Sequence, residues 1–302
     1  MLRRPVAAIA GVAFASGLGG SLTVAIAQPE AVEFETQAIT DNIQVLMGGG
    51  GNVGVFSGDD GVFLIDDSLA PATDQLLAAV AEISDSPIEY VISTHWHFDH
   101  TGGNEALGET GTLIVAHDNV RERMSVDVFI ESINQEFPAS PDVALPVITF
   151  NDAVTFHLNG ESVNVFHVEG AHTDGDAIVH FPDSNVIHMG DTYFNGFYPF
   201  IDLESGGSLD GVIATADQLV ALADSDTTII PGHGPLSNVA QLEIYRDMLV
   251  DVRDRTSDAI ADGMTLDEFL ASDPTADLDD AWGGGFMNPE SFQTIVYTDL
   301  AN

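Results

Sequence analysis

His95-Trp96-His97-Phe98-Asp99-His100 places four metal-competent side chains within six residues. The run follows Tyr90-Val91-Ile92-Ser93-Thr94, which reads as a buried strand. Side chains two apart on an extended segment point the same way, so His95 and His97 aim at one point. Thr101-Gly102-Gly103 announces a turn into a helix, and a turn lets Asp99 and His100 reach back toward a second point nearby. That is the layout of a two-metal hydrolytic site. A purely structural role would pack three imidazoles together without partners, which is costly when buried. Trp96 and Phe98 are expected to point away from the ligand face and pack.

Three further segments offer donors, each just after an apolar strand. They are Gly170-Ala171-His172-Thr173-Asp174-Gly175-Asp176, Met189-Gly190-Asp191-Thr192 and Ile230-Pro231-Gly232-His233-Gly234-Pro235. Glycine beside each donor allows close backbone approach, and loops at strand ends are where sites usually sit. Periodicity predicts strands over 43–47, 53–56, 62–65 and 112–115, a helix over 73–83 and a helical region over 118–136. The second half predicts strands over 154–157, 163–168, 177–181, 186–189 and 228–230, with helices over 210–224 and 238–261. Thr265-Leu266-Asp267-Glu268 is a capping box for one more helix. Strand-rich halves, each closed by helices, predict an α/β chain with two sheets packed face to face and helices outside.

Residues 1–27 read as a signal peptide. Arg3 and Arg4 precede an apolar, small-residue stretch over 6–26, and Ala25-Ile26-Ala27 is an A-x-A cleavage signal. The mature chain is expected to begin at Gln28 and to be exported, either to the periplasm or beyond. Residues 28–302 are expected to form a single domain with a C-terminal helical extension from about residue 237. No other uncharged stretch is long enough to span a bilayer, so no membrane association is expected once the signal peptide is removed.

The chain contains no cysteine, which excludes disulfides, a thiolate nucleophile and thiolate ligands. It contains no lysine, and beyond Arg3 and Arg4 only Arg121, Arg123, Arg246, Arg253 and Arg255 are cationic. Against 48 acids the formal charge is −41. Such a surface repels itself unless salt screens it, which implies a saline exterior or a halophilic host. Nucleic acid is excluded as a partner because little cationic surface exists to displace counterions.

The order H-x-H-x-D-H, lone His, G-D-T, P-G-H-G-P resembles the metallo-β-lactamase superfamily, from about residue 43 to residue 260. The segments over 167–176, 195–200 and 282–286 are similar to exported bacterial members described as β-lactamase-like or glyoxalase-II-like zinc hydrolases. The resemblance implies an αββα sandwich of two mixed sheets flanked by helices, with two metals at one edge. It implies that His95, His97 and His172 hold the first metal and Asp99, His100 and His233 the second, with Asp191 bridging. Imidazole and carboxylate ligation suits two Zn²⁺, while iron and manganese also fit such donors. The implied chemistry is attack of a metal-bridging hydroxide, oriented by Asp99, on a small-molecule carbonyl substrate: a lactam, lactone, ester or thioester.

One departure narrows this. Asp191 stands where the cysteine-dependent β-lactamases have their thiolate, and a bridging Asp is similar to glyoxalase II and the lactonases. Glyoxalase II also holds glutathione with basic residues, which this lysine-free chain scarcely offers. The alternatives are a mononuclear iron oxidoreductase resembling the persulfide dioxygenases and a non-catalytic metal-binding protein. The diiron flavoproteins of this fold usually carry Glu at the position of His97, which counts against that branch.

Beyond the implied ligands, Tyr193 is a candidate catalytic donor to an oxyanion. The resemblance also implies Asp66, which matches a family position, as a support for the metal loop. The glycine run over 47–51 is a candidate flap, and Phe194, Phe197, Tyr198 and Phe200 are candidate pocket walls. His117, His157, His167, His180 and His188 are expected to be core or surface residues.

Overall fold

Apolar alternation in the first half builds a seven-stranded sheet. The computed structural model describes residues 32–302, so the expected signal peptide lies outside the described residues. Six strands come first: β1 (Glu35–Ala38), β2 (Ile43–Met47), β3 (Val53–Gly58), β4 (Gly61–Ile65), β5 (Ile88–Ile92) and β6 (Leu113–His117). A small hairpin follows, β7 (Val128–Ile130) with β8 (Gln135–Phe137), and then β9 (Ile148–Phe150) joins β6. The sheet order is β1-β2-β3-β4-β5-β6-β9, antiparallel as far as β4 and parallel from there. Every residue of β4 is buried, as expected for a strand covered on both faces.

The second sheet has β10 (Ala153–Leu158), β11 (Glu161–His167), β12 (Ala177–Phe181), β13 (Val186–His188) and β14 (Thr228–Ile230), in that order. Only the β13–β14 pair is parallel. Ile43, Phe56, Ile65 and Val115 of the first sheet interlock with Val163, Val179 and Phe181 of the second, forming the central apolar layer.

Helices cover both outer faces. On the first sheet, α1 (Thr73–Ile83) inserts Leu76 and Val80 over Leu46, Val55 and Leu64. Short helices α2 (Phe98–Thr101), α3 (Asn104–Thr110) and α4 (Asp118–Met124) follow. The second sheet is covered by α5 (Leu209–Leu222) and α6 (Val239–Ala261), after which come α7 (Leu266–Ala271), α8 (Asp279–Trp282) and α9 (Pro289–Ala301). Leu219, Leu249 and Phe292 pack there with Ile178, Ile187 and Ile229. The result is the αββα arrangement, two mixed sheets between helical layers. No helix among the described residues is long and apolar enough to cross a membrane.

Three local expectations are corrected. The helical region over 118–136 stops at Met124, because Val128-Phe129-Ile130 is a β-branched and aromatic run that pairs with Gln135–Phe137. The motif strand stops at Ile92, since the Thr94 amide is captured by the Asp66 carboxylate at 2.7 Å instead of continuing the ladder. Helices α8 and α9 were not anticipated, although Asn288-Pro289 is an N-cap followed by proline in the first turn. The Thr265–Glu268 capping box forms as read.

Candidate metal centre

Loops leaving β5, β11, β13 and β14 converge at one edge of the sandwich. His95 and His97 leave β5, Asp99 and His100 ride on α2, His172 follows β11, Asp191 sits in the turn after β13, and His233 follows β14. Their donor atoms fall into two groups that could each hold a metal ion: His95, His97, His172 and Asp191, and Asp99, His100 and His233. Asp191 reaches both. Its Oδ1 lies 3.0 Å from His100 Nε2, and its Oδ2 lies 3.3 Å from His233 Nε2, 3.7 Å from His172 Nε2 and 3.9 Å from His95 Nε2. Glycines make this packing feasible. A Cβ on Gly232 would come within 2.0 Å of Asp191 Oδ1, and one on Gly51 within 2.2 Å of the His100 ring.

The far sides of three rings are engaged by the protein, which fixes their orientation. His100 Nδ1 lies 2.8 Å from Asp66 Oδ2, His97 Nε2 lies 3.0 Å from Asp202 Oδ2, and His172 Nδ1 lies 2.8 Å from the Phe200 carbonyl. A nitrogen facing an acceptor carries the proton, so these partners assign the lone pairs to His97 Nδ1 and His172 Nε2, whereas His100 faces carboxylates from both nitrogens, Asp66 at Nδ1 and Asp191 at Nε2. Asp66 also accepts from the Thr94 amide and hydroxyl, and it does so from the left-handed region, at φ 64°. A non-glycine residue held there is strained, and three hydrogen bonds offset that cost. Asp176 fixes the His172 loop by accepting from the His172 and Thr173 amides at 2.6 and 2.8 Å.

The donor set fits a metal. His95 Nε2 is buried without a hydrogen-bond partner. His97 Nδ1 and His172 Nε2 face each other at 2.8 Å, and two lone pairs so placed repel unless a cation or proton lies between them. Burial, aided by His100, pushes His95 well below the usual histidine range. Burial and His97 bring His172 down to about 4, so both rings are neutral donors. In the other group burial opposes charge, but the carboxylates win. Asp191, Asp99 and Asp66 raise His100 well above its ordinary value, and Asp191 and Asp99 raise His233 to about 9. Burial would raise Asp99, yet His100 and His233 hold it at about 2. A field that stabilises positive charge on imidazole also stabilises a bound cation.

The centre forms the floor of a cavity of about 1100 Å³. Of the donors, Asp99 and His233 are the more accessible, with side chains 21% and 25% exposed. Phe194, Phe197, Tyr198 and Phe200 do line the cavity, and Met47, Gly48 and Gly50 border it. Phe286, from the C-terminal extension, adds a further wall. Asn52 ties the glycine run to the His233 loop, donating from Nδ2 to the carbonyls of Pro231 and Gly234.

Two expectations need correction. Tyr193 is fully buried, its hydroxyl is 2.7 Å from Ser237 Oγ, and it packs on Tyr245 away from the cavity. The turn at Gly190–Thr192 swings it into the core, so it is not an oxyanion donor. Phe98 does not pack away from the site. It is 42% exposed, stacks on Phe137 and borders the cavity, because α2 begins at Phe98 and turns it toward the β7–β8 hairpin. Sequence reasoning missed Asp202 and Asn52, neither of which belongs to a recognisable string.

Comparison with known proteins agrees with this geometry. The model of the metallo-beta-lactamase superfamily matches residues 46–233. A hydroxyacylglutathione hydrolase of Nitrosococcus oceani is 28% identical over 173 residues, 57% of this chain and 58% of that protein. The type 2 metallo-beta-lactamase of Bacteroides fragilis is 23% identical over 185 residues, 61% of this chain and 69% of that protein. The chain thus spans about three fifths of the hydroxyacylglutathione hydrolases it matches. The solved metallo-beta-lactamase from Pontibacter korlensis superposes with a TM-score of 0.60 at 19% identity, covering 72% of this chain and all of that one, a likeness of fold. The matched region holds every donor of both groups, and the chain belongs to the metallo-beta-lactamase superfamily.

Proposed function

We propose that this chain is an exported, two-metal hydrolase of carbonyl substrates, with zinc as the metal and a lactone, ester, thioester or lactam as the substrate class. The observation that carries the reading is Asp191, placed between two donor groups at the floor of an open apolar cavity. His95, His97 and His172 would hold one metal, Asp99, His100 and His233 the other, with Asp191 shared. When bound, the metals supply Lewis-acid polarisation of a carbonyl and a water pKa lowered to near neutrality.

The chain's own residues do the rest. Asp99 is accessible from the cavity and ionised, so it can accept a hydrogen bond from an attacking water and hold its direction. The phenylalanine walls exclude bulk water from the reacting carbonyl, which strengthens every charge interaction at the floor. Asp66, Asp202 and the Phe200 carbonyl lock the three rings they touch, so the donors need little reorganisation.

Relatives named hydroxyacylglutathione hydrolase and metallo-beta-lactamase support acyl transfer to water as the reaction class. The A-x-A signal supports export, and the charge of −41 supports a saline setting. The test is metal counting on the mature protein, with hydrolysis of a chromogenic cephalosporin, an acyl lactone and an acyl thioester in molar salt, each with and without chelator. Two zinc ions per chain and chelator-sensitive turnover of at least one substrate are expected. One iron per chain without hydrolysis would instead fit the mononuclear oxidoreductase.

A further inference from the structure

Beyond its floor the cavity offers an anion no cationic side chain. Its walls are largely apolar, with Phe194, Phe200 and Phe286 among them, and the exposed acidic residues Glu33 and Glu35 border it. No arginine is among the residues lining it, and the chain has no lysine. The arginines of the described region are held elsewhere. Arg121 donates to the Pro146 carbonyl, Arg123 pairs with Asp174, and Arg246, Arg253 and Arg255 pair with acids along or beside α6.

We propose that this cavity selects substrates by charge: it takes a carbonyl compound with an apolar body whose far end is uncharged or cationic, and it rejects one whose far end is anionic. The word substrate rests on the hydrolase reading, but the selection is a property of binding and stands apart from turnover. An apolar chain lying from the floor to the mouth buries its methylenes against the phenylalanine walls. Its end group then lies near Glu33 and Glu35. A negative end group there meets like charge with no counter-ion to offset it, whereas a quaternary ammonium meets carboxylates and the faces of aromatic rings. The overall charge of the chain acts in the same direction at long range, but in 1 M salt, where the Debye length is about 3 Å, only the groups at the mouth still discriminate.

The test uses three ten-carbon hydroxamates on the zinc-loaded mature protein in 1 M NaCl, ending in methyl, trimethylammonium or sulfonate. The hydroxamate grips the metal centre in all three, so differences in Kd, read by calorimetry, report the far end. The sulfonate is expected to bind at least tenfold more weakly than the methyl compound, and the trimethylammonium no more weakly. The Glu33→Gln, Glu35→Gln double variant is expected to narrow the sulfonate-to-methyl ratio at least threefold. Phe286→Lys, at a wall position 74% exposed, is expected to raise sulfonate affinity about tenfold. Equal binding of sulfonate and methyl compounds by the unmodified protein overturns the proposal, as does a ratio that neither variant moves, or failure of all three to bind. Hydrolysis of a decanoyl thioester, assayed separately, decides the hydrolase reading: absent turnover with the binding order intact removes the activity and leaves the selection.

Discussion

Asp202 Oδ2 lies 3.0 Å from His97 Nε2, across 105 residues of sequence, and burial leaves that carboxylate no exposure to solvent. Burial alone would raise Asp202, but His97 and the Ser205 amide hold it at about 2, so it is an anion facing an imidazole N–H. It therefore turns the His97 ring so that Nδ1 looks into the first donor group. Asp202→Ala is expected to weaken metal binding about 10- to 100-fold, the range usual for such partners. Competition with a chromophoric chelator measures it. Unchanged metal affinity would show that packing alone orients His97.

Asp99→Asn is expected to abolish turnover while the fold persists. The amide keeps the side chain's shape but loses the charge that balances His100 and His233, which place Asp99 at about 2. Circular dichroism should match the parent, and kcat should fall by at least about a thousandfold, a loss at the scale of general base catalysis combined with metal binding. Activity within tenfold of the parent would remove Asp99 from the mechanism.

Tyr193→Phe is expected to leave kcat/KM within about twofold, since the hydroxyl is spent on Ser237 and does not face the cavity. The variant should instead lose about 1 kcal/mol of stability, the usual net worth of a buried hydrogen bond. Urea unfolding and steady-state kinetics on the same preparation separate the two effects. A large loss of kcat at unchanged stability would restore Tyr193 as a catalytic donor.

The mature protein is expected to melt at least about 5 °C higher in 1 M than in 0.05 M NaCl, because salt shortens the Debye length from about 14 Å to about 3 Å and relieves carboxylate repulsion. Differential scanning calorimetry across the salt series measures this. A flat response would mean that the acidic surface is spaced widely enough to need no screening.

The ligands were legible because each lies in a short string whose residue types serve little purpose other than metal binding. Asp66, at the end of a strand, was legible through its match to a position that supports the metal loop in the family this chain resembles. Asp202 was not. It sits in a loop among the chain's 48 acids, and only the path from Phe200 to Ser205 brings it onto His97. Tyr193 was misread for the complementary reason: nearness to Asp191 in sequence says nothing about direction, and a single turn at Gly190–Thr192 reverses it. Strands 43–47 and 177–181 and helix 73–83 were read at their observed limits because their apolar spacing is long enough to favour one period. The β7–β8 hairpin failed that test, since a run as short as Val128–Ile130 carries too few residues to tell a period of two from 3.6.

The shared Asp191 has a consequence for how the chain matures. His95 and His97 come from the first sheet's side of the sequence, His172 and Asp191 from the second, so neither half alone holds the first donor group. The complete first donor group therefore exists only once loops closed over more than seventy residues have brought the two sheets together, and metal uptake is expected at the end of folding. An ion caught there acts as a staple between the halves, and the rate of its release under denaturant becomes a clock for their separation.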